Sequence, residues 1–249
     1  MRTDADAFVQ RYDAAILDPD ARSIYDGSDF YNVGDWSDGP SGRPGGLGEA
    51  ARRLVQRHLS VDHDDDAAKA AVVLDVGCGL GAGARMMASH YPQALVLGVN
   101  LSPTQTAHAA RSAPAARFAV MDATRLAVAD GSVDRIHCVE AAFHFDCRED
   151  FLVEAHRALR PGGLVIVTDI LFRRGYGESI PPRNIWTGLD AYAACCGRAK
   201  LTVDKLVDIT ADTLTPFYAY LAMHGRRAEA VLLRRSQTAY LFAVLRKPV

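Results

Sequence analysis

The sequence predicts a doubly wound α/β fold, a mostly parallel sheet of seven strands with helices on both faces. Three observations predict it. Short apolar runs alternate with helix-like stretches from residue 72 onward. The first run ends in a glycine-rich turn, Val72-Val73-Leu74-Asp75-Val76-Gly77-Cys78-Gly79-Leu80-Gly81-Ala82-Gly83. That is the pattern of a buried strand turning tightly into a helix. Turn and stop signals separate the later runs, at Asp130-Gly131 and Pro161-Gly162-Gly163.

The elements follow in order. Residues 4–17 carry Phe8, Tyr12, Ile16 and Leu17 at near-helical spacing, so a short amphipathic helix opens the chain. Residues 26–48 are rich in Gly, Pro, Ser and Asp but hold Phe30, Tyr31 and Trp36. A plain linker rarely carries such aromatics, so an ordered loop packed on the body is expected. Residues 49–59 read as a helix, and Asp62-His63-Asp64-Asp65-Asp66 as a solvated break rather than a metal site. Strand 72–76 leads into a helix from 82. Strand 95–99 leads into a helix from Pro103, a residue suited to a first helical turn. A short strand at 117–121 and a strand at 133–139 follow. A helix over 148–159 is stopped by Pro161, and strand 164–170 comes next. A helix at 190–198 precedes a last pair of strands, 201–209 and 238–245, with a helical insertion at 216–233 between them. The chain thus divides into an N-terminal cap and covering loop, 1–65, and a core, 66–249. Lid segments are expected near 171–190 and 211–236.

The bulk properties narrow the function classes. A chain of 249 residues, 49% hydrophobic and with a net charge of −2, can bury a sizeable core and advertises no nucleic-acid partner. The five cysteines are odd in number and show no CxxC spacing, so neither a disulfide framework nor a zinc site is expected. The opening residues are charged and no run is long and apolar enough to span a bilayer. A cytoplasmic monomer or homodimer without membrane partners or metal is the expectation.

Two glycine patterns overlap in the first turn. Gly77-x-Gly79-x-x-Ala82 fits the loose dinucleotide fingerprint, and Asp75-x-Gly77-x-Gly79-x-Gly81 fits a tighter one. In both, glycine permits positive φ and lets a ligand approach bare backbone. Downstream stand Gly98-Val99-Asn100-Leu101-Ser102-Pro103-Thr104-Gln105, Met121-Asp122-Ala123-Thr124-Arg125-Leu126 and Leu159-Arg160-Pro161-Gly162-Gly163. Upstream stands Phe30-Tyr31-Asn32-Val33-Gly34-Asp35-Trp36. In this order and spacing the segments resemble class I S-adenosylmethionine-dependent methyltransferases of the small-molecule, natural-product type. The resemblance covers residues 72–170, with the aromatic loop added. It implies a Rossmann-like fold, S-adenosyl-L-methionine as cofactor, and methyl transfer to a small-molecule acceptor in bacterial secondary metabolism. An NAD(P)-binding oxidoreductase is a remote alternative, and a cofactor-binding scaffold without turnover is another.

The resemblance also implies contacts. Gly77 and Gly79 give close backbone around the methionine moiety, and Asp75 orients the turn and reaches the ammonium through water. Tyr31 and either Cys138 or Val139 flank the methionine end. Asn100, Leu101 and Gln105 take the ribose and one adenine face. Asp122 accepts from the adenine amino group and Ala123 donates a backbone N–H; the plain alternative for Asp122 is a helix N-cap. One departure stands out. Most such enzymes end the second strand in Asp or Glu, which accepts from both ribose hydroxyls. Asn100 has one carbonyl acceptor, so only part of that fork survives, with Gln105 as supplement. The missing acid also counts against the dinucleotide reading.

Residues just after the fourth and fifth strands face the transferring methyl. Glu140-Ala141-Ala142-Phe143-His144 follows the fourth, and Thr168-Asp169-Ile170-Leu171-Phe172 ends the fifth. O-methyltransferases with a Glu-x-x-x-His stretch here place a catalytic His at the position of His144 and an Asp at that of Asp169. His144 is thus the expected general base, with Asp169 as its pair. Glu140 is a further catalytic carboxylate or a water-linked residue under the cofactor. Without strong base catalysis, C- or N-methylation of an aromatic or prenyl-like product is the alternative. His137, inside a strand, reads as a buried structural histidine. Acceptor contacts are expected from among Phe30, Trp36, Phe143, Phe145, Phe172, Tyr176, Trp186, Phe217, Tyr218 and Tyr220, first of all Trp36, Phe143, Phe172, Tyr176, Trp186 and Tyr218, with packing of the lid as their plain role. Arg173, Arg174 and Arg183 either hold an anionic tail or sit in a solvated loop.

Overall fold

The computed structural model describes residues 5–38, 45–62, 67–173, 180–186 and 188–249. Its sheet contains β1 (Val72–Val76), β2 (Leu95–Asn100), β3 (Arg117–Val120), β4 (Val133–Val139), β5 (Leu159–Phe172), β6 (Thr202–Asp208) and β7 (Gln237–Arg246). They lie in the order β3-β2-β1-β4-β5-β7-β6. Strands β1 to β5 are parallel. β7 alone is reversed, threaded antiparallel between β5 and β6. The order reverses at β1, between β2 and β4, which opens the ligand crevice of such sheets at the strands' C-terminal ends.

The helices are α1 (Ala5–Ile16), α2 (Pro19–Ser23), α3 (Leu47–Leu59), α4 (Ala82–His90), α5 (Pro103–Ser112), α6 (Arg148–Ala158), α7 (Leu189–Arg198), α8 (Leu214–Met223) and α9 (Arg227–Ser236). The insertion expected at 216–233 is therefore two helices. Alternation along the strands sorts the core onto two faces. On one face Leu74, Ile136, Val165 and Leu241 pack against Phe151 and Leu152 of α6 and Tyr192 of α7. On the other, Ile166, Tyr240 and Phe242 meet Leu54 of α3 and Phe217 of α8. Val73 and Val96 on that face meet Met87 of α4.

Two expectations shift. Strand β5 begins at Leu159, not at 164, because Pro161-Gly162-Gly163 sits inside it as an irregularity. The register steps from Val133 opposite Leu159 to Arg135 opposite Leu164. Asp62, read as part of a solvated break, is buried; the rest of that run lies outside the described residues. Tyr91 Oη donates to Asp62 Oδ2 at 3.0 Å and Arg135 Nε donates to the same oxygen at 2.7 Å. Tyr91 Oη also lies 3.1 Å from His137 Nε2, and His58 Nε2 lies 2.9 Å from Thr168 Oγ1. Among the described residues, no helix is long and apolar enough to cross a membrane.

Both histidines are fully buried. Burial holds them neutral, pushing His137 down to about 3 and His58 well below its ordinary value. Between pH 6.5 and 3 the unfolded chain therefore binds protons that the folded chain refuses. The histidines' contribution to stability is full above pH 6.5 and falls as the pH drops below it, by up to about 1.4 kcal/mol per pH unit for each histidine. Urea unfolding at pH 8, 6.5 and 5 should show the wild type losing stability towards acid relative to the double variant His58→Asn/His137→Gln, which lacks the two buried imidazoles.

Candidate functional site

The glycine turn after β1 forms the floor of a cavity of about 300 Å³ at the strands' C-terminal ends, within the range of small-ligand sites. Gly77 takes φ +80°, and a Cβ there would run into the Ala141 methyl, so both conformation and space demand glycine. A Cβ on Gly79 would meet only Ile16 Cδ1, at 3.8 Å. That side of the turn is open to the cavity. Gly81, at φ +92°, starts α4 without a side-chain cap. Of the first residues of α4, Ala82 and Gly83 line the cavity, while the Ala84 N–H is taken by Asp75.

The cavity wall gathers the expected cofactor residues. Tyr31, Asp75, Gly77, Gly79, Asn100, Leu101, Gln105, Asp122, Ala123 and Val139 all line it. Cys138, the alternative to Val139, is fully buried and does not line it. Asp75 is buried, and its Oδ2 has no hydrogen-bond partner. Burial pushes its carboxyl up to about 7, against the pull of the Ala84 N–H. Such an orphaned acceptor fits an ammonium donor. Asp122 Oδ1 accepts from Thr124 N at 2.9 Å and Thr124 Oγ1 at 2.8 Å. It closes a local turn rather than capping a helix.

His144 and Glu140 also line the cavity. His144 ends a short 3₁₀ turn, Ala142–His144. Its ring centroid lies 4.9 Å from Tyr12, 5.6 Å from Phe8 and 4.2 Å from Phe143. Glu140 takes φ +54°, a strained value for a side-chain-bearing residue. Its Oε2 accepts from Val33 N at 2.9 Å and Tyr240 Oη at 2.7 Å. Glu140 therefore pins the aromatic loop to the sheet. Burial pushes its carboxyl up to about 8, opposed by those two donors.

Asp169 does not reach the cavity or pair with His144. It is fully buried against Arg148, whose Nε donates to Asp169 Oδ2 at 2.7 Å. Arg148 also donates through Nη2 to the Ile170 carbonyl at 2.5 Å and through Nη1 to the Asn184 carbonyl. Asn184 Nδ2 in turn donates to the Phe143 carbonyl at 3.2 Å and the Phe145 carbonyl at 2.7 Å. This knot clamps the turn that carries His144.

Most of the expected acceptor residues do not come together. Trp36 stacks near Tyr220 at 5.1 Å and donates through Nε1 to the Val33 carbonyl. Phe143 and Phe172 are buried against each other at 5.3 Å. Trp186 lies 5.0 Å from the Arg148 guanidinium, on the far side of that knot. Tyr218 Oη donates to Gln237 Oε1 at 2.5 Å. None of these four groups lines the cavity. Tyr176 and Arg174 lie outside the described residues. The aromatic wall comes from Phe30 and Phe145, two of the expected residues, together with Tyr31 and with Phe8 and Tyr12 of α1. Phe8 and Tyr12 were legible as one helix face but not as part of a site.

The comparisons agree with this geometry. Residues 74–167 match the family model described as "Methyltransferase domain". Methyltransferase GfsG of Streptomyces halstedii is 30% identical over 209 residues, covering 75% of this chain and 70% of that protein. The 2-methyl-6-phytyl-1,4-hydroquinone methyltransferase of a Synechocystis species is 38% identical over 117 residues, 46% of this chain and 36% of that one. Erythromycin 3''-O-methyltransferase of Saccharopolyspora erythraea is 30% identical over 162 residues, 62% of this chain and 51% of that one. The chain thus spans about a third to 70% of the length of these relatives. Among solved structures, the cyclase SpnF has the same fold, with a TM-score of 0.75 at 23% identity over 96% of this chain and 94% of that one. The glycine turn, the strand order and these matches define a class I methyltransferase. This chain belongs to that family, the S-adenosylmethionine-dependent methyltransferases, which sets the oxidoreductase reading aside.

Removing one partner of the Arg148–Asp169 pair leaves the other buried and unpaired. Arg148→Ala and Asp169→Asn should each lower the unfolding free energy by about 3–5 kcal/mol, read by chemical denaturation.

Proposed function

We propose that this protein transfers a methyl group from S-adenosyl-L-methionine to an oxygen of a small-molecule acceptor in bacterial secondary metabolism, with His144 as general base. The observation that carries the reading is the position of His144. It stands in the cavity wall on the turn after β4, facing α1 and adjoining the glycine turn. The relatives whose names include natural-product methylation support the substrate class.

The bound cofactor supplies an electrophilic methyl on a sulfonium, a good leaving group. The chain's own residues do the rest. Asp75 Oδ2 takes the ammonium, and the uncapped N-terminus of α4 takes the carboxylate. Gly77 and Gly79 let the ligand lie against backbone. Tyr31 and Val139 flank the methionine end. Asn100, Leu101 and Gln105 take the ribose, and Asp122 and Ala123 take the adenine edge. Transfer is an in-line displacement, so most of the rate comes from holding the acceptor aligned about 3 Å from the methyl. His144 accepts the hydroxyl proton as the new bond forms. Glu140 positions the covering loop through Val33. Asp169 acts on the turn that carries His144 through Arg148 and Asn184, and by accepting from the Phe143 N–H.

A second reading, C- or N-methylation by proximity, draws on the rings of Phe8, Tyr12, Phe30 and Tyr31 in the cavity wall. Such a wall suits a flat or cationic acceptor. Calorimetry with S-adenosylmethionine, S-adenosylhomocysteine and NAD(P) tests the cofactor; binding of NAD(P) alone would sink the proposal. His144→Ala should lower turnover on a hydroxyl acceptor by about 10²- to 10⁴-fold with the Kd for S-adenosylhomocysteine nearly unchanged. Retained turnover assigns the reaction to proximity.

A further inference from the structure

The second strand ends in Asn100 where a carboxylate is expected, yet the site contains one. It comes from the cap helix. Asp13 of α1 reaches the start of α5, where Gln105 Nε2 donates to Asp13 Oδ1 at 2.7 Å and Ser102 Oγ donates to Asp13 Oδ2 at 2.9 Å. Gln105 and Ser102 are buried and line the cavity. Asp13 itself is half-buried and is not part of the cavity wall.

The hydrogen bonds form one directed chain. Ser102 N donates to Asn100 Oδ1 at 3.0 Å, Asn100 Nδ2 donates to Gln105 Oε1 at 3.0 Å, and Gln105 Nε2 donates to Asp13. Each amide could turn over by itself, exchanging oxygen for nitrogen. A backbone N–H at one end and a carboxylate at the other forbid it. The backbone group only donates, and the ionised carboxylate only accepts. Turning Gln105 over would set its oxygen against Asp13 and its nitrogen against the Asn100 amide. In the bound direction, Asn100 Oδ1 and Gln105 Oε1 each keep a second lone pair. A ribose diol presents two O–H donors, and two amide oxygens match them.

We propose that Asp13 is a positioning residue for ribose recognition: with Ser102 N holding Asn100 from the other end, it fixes the amide orientation of Gln105, so that the ribose acceptors are complete only when the cap helix is seated. This rests on the cofactor reading above. A second tie supports the seating. Asp29 Oδ1, from the loop after α2, holds His108 Nε2 of α5 at 2.9 Å and Arg22 Nη2 of α2 at 2.8 Å. The cap is thus fastened to α5 at two points on the same side of the cavity.

The test is calorimetric binding of S-adenosylhomocysteine and its 2′-deoxy analogue, with thermal unfolding of the ligand-free protein as a check of fold. The wild type should prefer the ribose form. Asp13→Ala should weaken S-adenosylhomocysteine by roughly tenfold and bring the ratio between the two ligands towards one. Asn100→Asp supplies an acceptor that needs no orienting, so Asp13→Ala in that background should cost little. Equal weakening of both ligands with an unchanged ratio, or the same loss in both backgrounds, would reduce Asp13 to a helix anchor and overturn the proposal. An unaltered Kd in Asp13→Ala overturns it as well. A wild type that binds neither ligand defeats the cofactor reading itself, an outcome distinct from these.

Discussion

The site depends on a charge pair that never meets solvent. Arg148 and Asp169 are both fully buried, and burying two ions costs more than their attraction returns unless every remaining donor and acceptor is satisfied. Here the guanidinium spreads its donors over a carboxylate and two backbone carbonyls, while Asp169 Oδ1 also accepts from Ile170 N at 2.9 Å. The pair therefore acts as a geometric lock. It joins the end of β5, the first residue of α6 and the segment at 180–186, and Asn184 passes the constraint to the carbonyls around His144. The turn after β4 has no ladder partners of its own to fix it. Its conformation is set by what this knot leaves possible.

The opposite wall is set by a different kind of constraint. Glu140 reaches across from the end of β4 to hold Val33 N and Tyr240 Oη with one oxygen. It does so from a strained backbone conformation that the surrounding bonds must hold in place. The aromatic loop is thereby tied to the sheet at the point where the cavity opens. α1 lays Phe8, Tyr12 and Ile16 over the glycine turn from above. The core contributes bare backbone and buried acids, and the cap contributes rings.

Much of this was legible in the residues. The glycine turn, Asn100 with Gln105, and Asp122 with Ala123 each stand at the C-terminal end of a successive strand, so local pattern places them in one crevice. The reversed direction of β7 and the irregular start of β5 were not, because both are settled by pairing with distant strands. Asp169 illustrates the same limit. Its position after β5 suggests a catalytic carboxylate, but its partner Arg148 stands 21 residues away, in a helix whose pattern announces only packing. The loop aromatics misled for a related reason. Trp36, Phe143, Phe172 and Trp186 are large apolar surfaces near a crevice, and the gain from burying them against the body exceeds what an open wall offers. Phe8 and Tyr12 became site residues because their helix had nowhere else to bury its face.

The relocation of one carboxylate from strand to cap changes what the ribose contact means physically. An acid at the end of β2 is held by the sheet and is in place whenever the domain is folded. Asp13 is held by α1, a helix outside the sheet whose buried residue is Ile16. Such elements open at far lower free energy than central strands. With the Gln105 acceptor oriented from that helix, any opening of the cap frees the Gln105 amide to turn over, while Ser102 N still holds Asn100 Oδ1. Ligand contacts on the ribose then favour the seated cap by the free energy with which they distinguish the two arrangements. The rings of Phe8 and Tyr12 are on the same helix as Asp13. Recognition of the ribose at one end of the cavity is therefore coupled to closure of the aromatic wall around His144 at the other.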